Sequence, residues 1–193
     1  MAALVASSAR RVVPAAGRVR VAGCAHGRRF SSAARESAIL VEDVTPRDGL
    51  QNEVAVLPTE SKLELVKRIV ATGPASVEIT SFVRKDLIPA LADASELCTL
   101  LADAEWLHKA RDGGMRFAGL VPNMRGYEGL REHNGVLDTV CAVTSATESH
   151  SKANVNRSIA EALKGSCDVI AMAKSEGFAT KAYVSMCFGT PRV

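Results

Sequence analysis

Val41-Glu42-Asp43-Val44-Thr45-Pro46-Arg47-Asp48-Gly49-Leu50-Gln51-Asn52-Glu53 is the stretch on which the fold turns. A short β-prone run ends at Pro46. A cation and an anion follow at once, then a glycine that permits a tight turn, then polar side chains. An α/β protein presents reactive groups in this way, at the C-terminal lip of a strand. Adjacent arginine and aspartate side chains can serve one small anionic substrate. The carboxylate would hold a divalent metal and the guanidinium would face a developing negative charge. The plainer alternative is a surface turn with an ordinary ion pair.

Outward from this stretch the chain alternates. A helix is expected from about residue 58, with Ser61 and Glu64 as a capping box, apolar Leu63, Val66, Ile69 and Val70 at helical spacing, and Gly73 as its stop. Residues 75–82 read as a strand, with Glu78 and Thr80 on one face and Val77 and Ile79 on the other; alternation puts Ser81 with the second pair. A helical region over 89–111 follows, then a strand over 116–123, a short helix over 126–132 and a strand over 138–146. Ser158 and Glu161 cap a long helix that stops at Gly177, and 181–189 form a fifth strand.

Strict β/α alternation means a parallel sheet with helices on its faces. An open doubly wound sheet and a (β/α)8 barrel both satisfy it. No GxGxxG or P-loop follows any strand, which weakens the nucleotide-binding sheet. Polar residues gather at the strand ends instead, at Arg47, Asp48, Ser81, Asn123, Ser145 and Cys187. A barrel takes about 250 residues, and the body here has room for about five of its eight units.

The 193 residues are 47% hydrophobic and 23% charged, which suits one globular domain. Residues 1–35 hold seven arginines and no acid, so the net charge of +3 belongs to this leader and the remainder carries −4. The body therefore has no nucleic-acid footprint. The five cysteines show no CxxC pair and read as reduced thiols. No apolar run approaches the roughly 20 residues that span a membrane. Residues 1–35 have the composition of a disordered mitochondrial transit peptide, with Arg28-Arg29-Phe30-Ser31-Ser32 resembling a processing site. The expected organisation is this leader followed by a domain over 36–193, acting in the mitochondrial matrix.

Five motifs in order carry a resemblance: Val44 to Glu53 as quoted above, Val77-Glu78-Ile79-Thr80-Ser81-Phe82-Val83, Val121-Pro122-Asn123, Lys152-Ala153-Asn154-Val155-Asn156 and Tyr183-Val184-Ser185. Together they resemble the 3-hydroxy-3-methylglutaryl-CoA lyase family. Its wider superfamily includes isopropylmalate and homocitrate synthases, and Leu50-Gln51-Asn52-Glu53 favours the lyase branch. The resemblance implies a TIM barrel, truncated here to about five βα units. It implies cleavage of 3-hydroxy-3-methylglutaryl-CoA to acetyl-CoA and acetoacetate with Mg2+ or Mn2+, in leucine breakdown and ketone-body formation. It makes Asp48 a metal ligand, Arg47 the enolate-stabilising residue, and Glu78 an active-site carboxylate that either moves a proton or orients Arg47. Arg47, Gln51 and Ser81 fall on the substrate side. The implied partner is an acyl-CoA, with no nucleic acid and no membrane, and a homodimer is admitted for a full-length form.

There are departures. The family's later His-x-His pair and its cysteine in a Gly-rich loop have no counterpart, so the metal is expected to be incompletely liganded. The four histidines, His26, His108, His133 and His150, read as a leader residue and three surface residues. Cys187 lies one position from a family cysteine and reads more simply as a small buried thiol. Val54 stands where the family tends to carry lysine. Three readings remain open: the N-terminal part of a metal-dependent lyase, inactive alone; a non-catalytic short form or gene-model fragment, for instance one that pairs with a full-length subunit; and a condensing synthase of the same superfamily.

Overall fold

The structure, a computed structural model, describes residues 39–189. The expected leader lies outside them. Five strands form one sheet: β1 (Glu42–Asp43), β2 (Ser76–Ser81), β3 (Arg116–Val121), β4 (Thr139–Ser145) and β5 (Ala179–Ser185). All neighbours are parallel, and their spatial order is the chain order, β1-β2-β3-β4-β5. A doubly wound sheet would reverse its order part-way. The sheet also curls. Laid flat, four strand spacings of about 4.8 Å would set β1 and β5 roughly 19 Å apart, beyond the joint reach of a lysine and a glutamate. Yet Lys181 on β5 is ion-paired with Glu42 on β1. A singly wound, curled arc of five parallel strands is part of a TIM barrel, and the doubly wound alternative is set aside.

Helices cover the outer face. They are α1 (Thr59–Ala71), α2 (Ala94–Ala102), α3 (Glu105–Asp112), α4 (Met124–Arg131), α5 (Glu148–Val155) and α6 (Ile159–Ser175). Val66, Ile69 and Val70 of α1, Leu97 and Leu101 of α2, and Tyr127 and Leu130 of α4 pack with Val77, Ile79, Phe117 and Val121 from the strands. These outward-facing apolar residues anchor the sheet, and they leave its inner face to polar side chains.

Several local expectations change. The Ser61 capping box does not form: α1 begins at Thr59 after an extended Pro58, with no side-chain cap. The box at Ser158 and Glu161 does form. Region 89–111 is not continuous but divides into a 3-10 turn at Pro89–Leu91, α2 and α3. α5 was not foreseen. The first strand stops at Asp43, and Pro46 belongs to the turn beyond it.

Candidate active site

The opening motif folds as a single π-type turn, Thr45–Gly49. The Val44 carbonyl accepts the amides of Arg47 (3.1 Å), Asp48 (2.7 Å) and Gly49 (3.4 Å). Asp43 Oδ1 accepts the Thr45 amide at 2.8 Å, and Asn52 Nδ2 donates to the Asp48 carbonyl at 3.1 Å. Buried Pro46 pins the turn against the body.

From this turn Arg47 reaches to β2. Its Nε donates to Glu78 Oε1 at 2.6 Å, and its Nη1 donates to Asp48 Oδ1 at 2.6 Å. A guanidinium has five N–H donors, and the Nη2 edge enters neither bond. The Arg47 side chain is 13% exposed, Glu78 is fully buried and Asp48 is 53% exposed. Glu78 Oε2 accepts the Tyr183 hydroxyl and lies 3.4 Å from Lys181 Nζ. Lys181 continues to Glu42 and lies 4.8 Å from the centre of the Tyr183 ring. A buried carboxylate is costly unless paired and hydrogen-bonded, and here both oxygens have partners.

The electrostatics agree. Burial alone would lower the Arg47 pKa, but Glu78 and Asp48 outweigh it and raise the value. Lys181 is likewise raised against burial, chiefly by its bond to Glu42. Burial and then the bond to Glu78 push Tyr183 up to about 12. Burial, with Glu78 next, pushes the neighbouring Cys141 thiol up to about 12. At neutral pH the two bases are charged and the tyrosine is a donor.

The structure thus brings Arg47, Asp48 and Glu78 into direct contact. Ser81 arrives by another route. The β2–β3 register pairs Glu78 with Ala118 and Ser81 with Leu120, with an irregularity between Glu78 and Thr80. Two steps on β3 match three on β2, so this bulge moves Ser81 onto the face of Glu78, where alternation had not placed it. The Ser81 hydroxyl is buried without a hydrogen-bond partner. Gln51 stands apart, half-buried in a groove with Val54, Val56 and Leu87.

Asn123 caps α4 through Oδ1, which accepts the Gly126 amide at 3.1 Å. Ser145 Oγ meets His150 Nδ1 at 2.7 Å, so His150 is not a free surface residue. Cys187 is exposed in the turn after β5, contrary to the buried thiol expected. Asp48 supplies one carboxylate, but among the described residues no three His, Cys, Asp or Glu side chains gather as a metal centre. A divalent cation wants about six donors, and these residues do not assemble them.

Sequence reasoning gave no site role to Glu42, Lys181 or Tyr183. The available signal was a lysine inside a strand of a parallel sheet, where both faces are normally covered and apolar.

No family model matches the chain. In sequence it is 37% identical over 153 residues to a hydroxymethylglutaryl-CoA lyase of Bacillus subtilis, covering 79% of this chain and 48% of that protein. It is 31% identical over 171 residues to the human cytoplasmic 3-hydroxy-3-methylglutaryl-CoA lyase, covering 87% of this chain and 43% of the relative. It is 35% identical over 153 residues to the mitochondrial hydroxymethylglutaryl-CoA lyase of Arabidopsis thaliana, covering 79% and 31%. In structure it matches the B. subtilis HMG-CoA lyase with a TM-score of 0.71 at 38% identity, over 79% of this chain and 48% of that one. It matches an Acinetobacter HMG-CoA lyase, solved with coenzyme A and 3-methylmalate, with a TM-score of 0.68 at 28% identity, over 79% and 46%. The chain therefore spans about half the length or less of these relatives. By sequence and by fold it is a homologue of the hydroxymethylglutaryl-CoA lyases, consistent with an N-terminal portion of their barrel.

Proposed function

We propose that this chain carries the enolate-stabilising part of an acyl-CoA carbon–carbon lyase, with 3-hydroxy-3-methylglutaryl-CoA as substrate. One observation carries the reading: Arg47 is clamped by buried Glu78 and rim-exposed Asp48 while its Nη2 edge stays uncommitted. In the cleavage the tertiary hydroxyl loses its proton and becomes the ketone of acetoacetate. The electrons of the broken C–C bond pass to the thioester, whose oxygen carries enolate charge until the carbon is protonated to acetyl-CoA. A fixed guanidinium facing that oxygen stabilises the charge where it develops. Glu78 acts by holding Arg47, since both its oxygens already accept protein donors. Tyr183 and Lys181 hold Glu78 in turn. Ser81, with its unpaired hydroxyl, and Gln51 are the substrate-side groups.

The divalent ion expected of this chemistry finds only Asp48 among these residues, and no step is assigned to it. The matrix is the proposed location, supported by the arginine-rich, acid-free first 35 residues; the relatives include mitochondrial, cytoplasmic and bacterial proteins.

The test follows acetyl-CoA and acetoacetate formation from 3-hydroxy-3-methylglutaryl-CoA with Mg2+ or Mn2+, in the natural protein and in Arg47→Gln. Loss of about 10²–10³ in kcat is expected for the variant. Equal and measurable turnover in the two would sink the assignment of Arg47. Condensation of acetyl-CoA with a 2-oxo acid, without cleavage, would move the protein to the synthase branch.

A further inference from the structure

Ser145 and His150 make a polar pair to which the cleavage chemistry has given no task. Val140 on β4 packs in the helix-covered core, so alternation turns Cys141, Val143 and Ser145 to the inner face, with Glu78. Val143 is the register partner of Tyr183, and Ser145 is the partner of Ser185. Ser145 therefore stands one strand over from Tyr183 and two residues beyond it, about 8 Å away by strand spacing and rise. Tyr183 itself bonds Glu78, and its ring centre lies 6.0 Å from Arg47 Cζ. The pair thus sits at the C-terminal lip of the arc, a short acyl chain away from the guanidinium.

Ser145 is 4% exposed, and its Oγ meets His150 Nδ1 at 2.7 Å. With the hydroxyl donating to Nδ1, the neutral ring carries its hydrogen on Nε2. No bond among the described residues takes up Nε2. A buried serine thus sets the tautomer of a half-buried imidazole and leaves one N–H donor free, with half-buried Ser185 on the adjoining strand. The acyl group of the proposed substrate ends in a carboxylate, which needs donors of its own. The cations of the inner face are committed: Lys181 to Glu42 and Glu78, and Arg47 to Glu78 and Asp48, with its Nη2 edge assigned to the thioester oxygen.

We infer that His150, oriented by Ser145, recognises the free carboxylate of the acyl group and so selects dicarboxylic acyl thioesters, with the Ser185 hydroxyl as a second donor. His150 is the binding residue and Ser145 a positioning residue. This rests on the acyl-CoA reading above and names the substrate class that the arc prefers.

Calorimetric titration with glutaryl-CoA and valeryl-CoA tests it, in the natural protein and in His150→Phe, His150→Gln and Ser145→Ala. The two thioesters share a five-carbon chain and differ only at its far end, carboxylate against methyl. Neither has the 3-hydroxyl, so neither is cleaved. A hydrogen bond to a charged group is worth about tenfold or more in affinity. The natural protein should therefore prefer glutaryl-CoA, and His150→Phe should weaken that ligand about tenfold while valeryl-CoA binding is unchanged. His150→Gln keeps an N–H donor and should restore most of the preference. Ser145→Ala frees the tautomer and should cost about threefold for glutaryl-CoA alone. An imidazole that merely ties α5 to β4 would weaken both thioesters alike, and that result overturns the proposal. A preference for glutaryl-CoA that survives His150→Phe overturns it too. Should His150→Phe fail to fold by circular dichroism, the Ser145→Ala comparison decides, and equal binding changes for the two ligands there overturn the proposal. A natural protein that binds both thioesters equally overturns it and leaves the lyase reading intact. One that binds neither overturns both.

Discussion

Glu78 and Asp48 both grip Arg47, yet they differ in what surrounds them. Glu78 is fully buried and also serves Tyr183 and Lys181, whereas more than half of the Asp48 side chain faces water. Glu78→Gln leaves two cations without their buried anion and should cost about 3–5 kcal/mol in urea unfolding. Asp48→Asn should cost under about 1 kcal/mol, as exposed pairs do. Similar costs for the two would contradict the burial difference. The tyrosines give a pH signature. The sequence holds two, Tyr127 and Tyr183. Burial first, then bonds to Glu176 and Glu78 respectively, pushes each up to about 12. A raised folded-state pKa stabilises the protein fully below the unfolded value near 10, and that stability is lost as pH rises from about 10 through about 12. Alkaline ultraviolet titration should show no phenolate in the folded protein at pH 10. A phenolate appearing there would refute the account.

At the scale of elements, close approach to glycine controls two contacts. A Cβ at Gly119 would meet the ends of the Leu130 and Leu137 side chains at 2.8 and 3.0 Å, which can shift. At Gly126 it would meet the Phe82 backbone oxygen at 2.6 Å and Pro122 Cδ at 2.9 Å, which cannot. Gly119→Ala should cost about 1–3 kcal/mol, and Gly126→Ala should cost more and displace α4, as compared urea midpoints would show. The strands were legible because alternation and β-branching mark them. The break between α2 and α3 was not, because no Gly or Pro stands between Ala102 and Glu105. There His108 Nε2 lies 2.7 Å from the Ala102 carbonyl and ties the two helices by a bond that no local pattern announces. Ser61 offered the same letters as Ser158, but Pro58 caps its helix three residues earlier. The bulge that turns Ser81 to the site depends on the β3 register, so β2 read alone could not reveal it.

At the scale of the molecule, the curl joins residues that are far apart in the chain. Glu42 and Lys181 are 139 positions apart and meet only because the sheet bends. The fold class was legible from alternation and from polar strand ends. The contents of the arc were not, since Glu42, Lys181 and Tyr183 acquire partners only after closure. Lys181→Met should loosen the first strand. The pair is partly exposed, so about 0.5–1 kcal/mol of local stability is at stake. Hydrogen exchange of the β1–β2 amides should rise two- to fivefold while β3 and β4 stay protected. Unchanged exchange at β1 would show that backbone pairing alone sets the curvature.

The carbonyl of Val44 gathers three amides at once. The backbone positions of Arg47 and Asp48 thus depend on one oxygen. With Pro46 buried beneath them and Arg47 bonded to Glu78, that oxygen works as a keystone: the two charges keep one bearing toward the sheet, and a change that dislodged the Val44 carbonyl would misplace both at once.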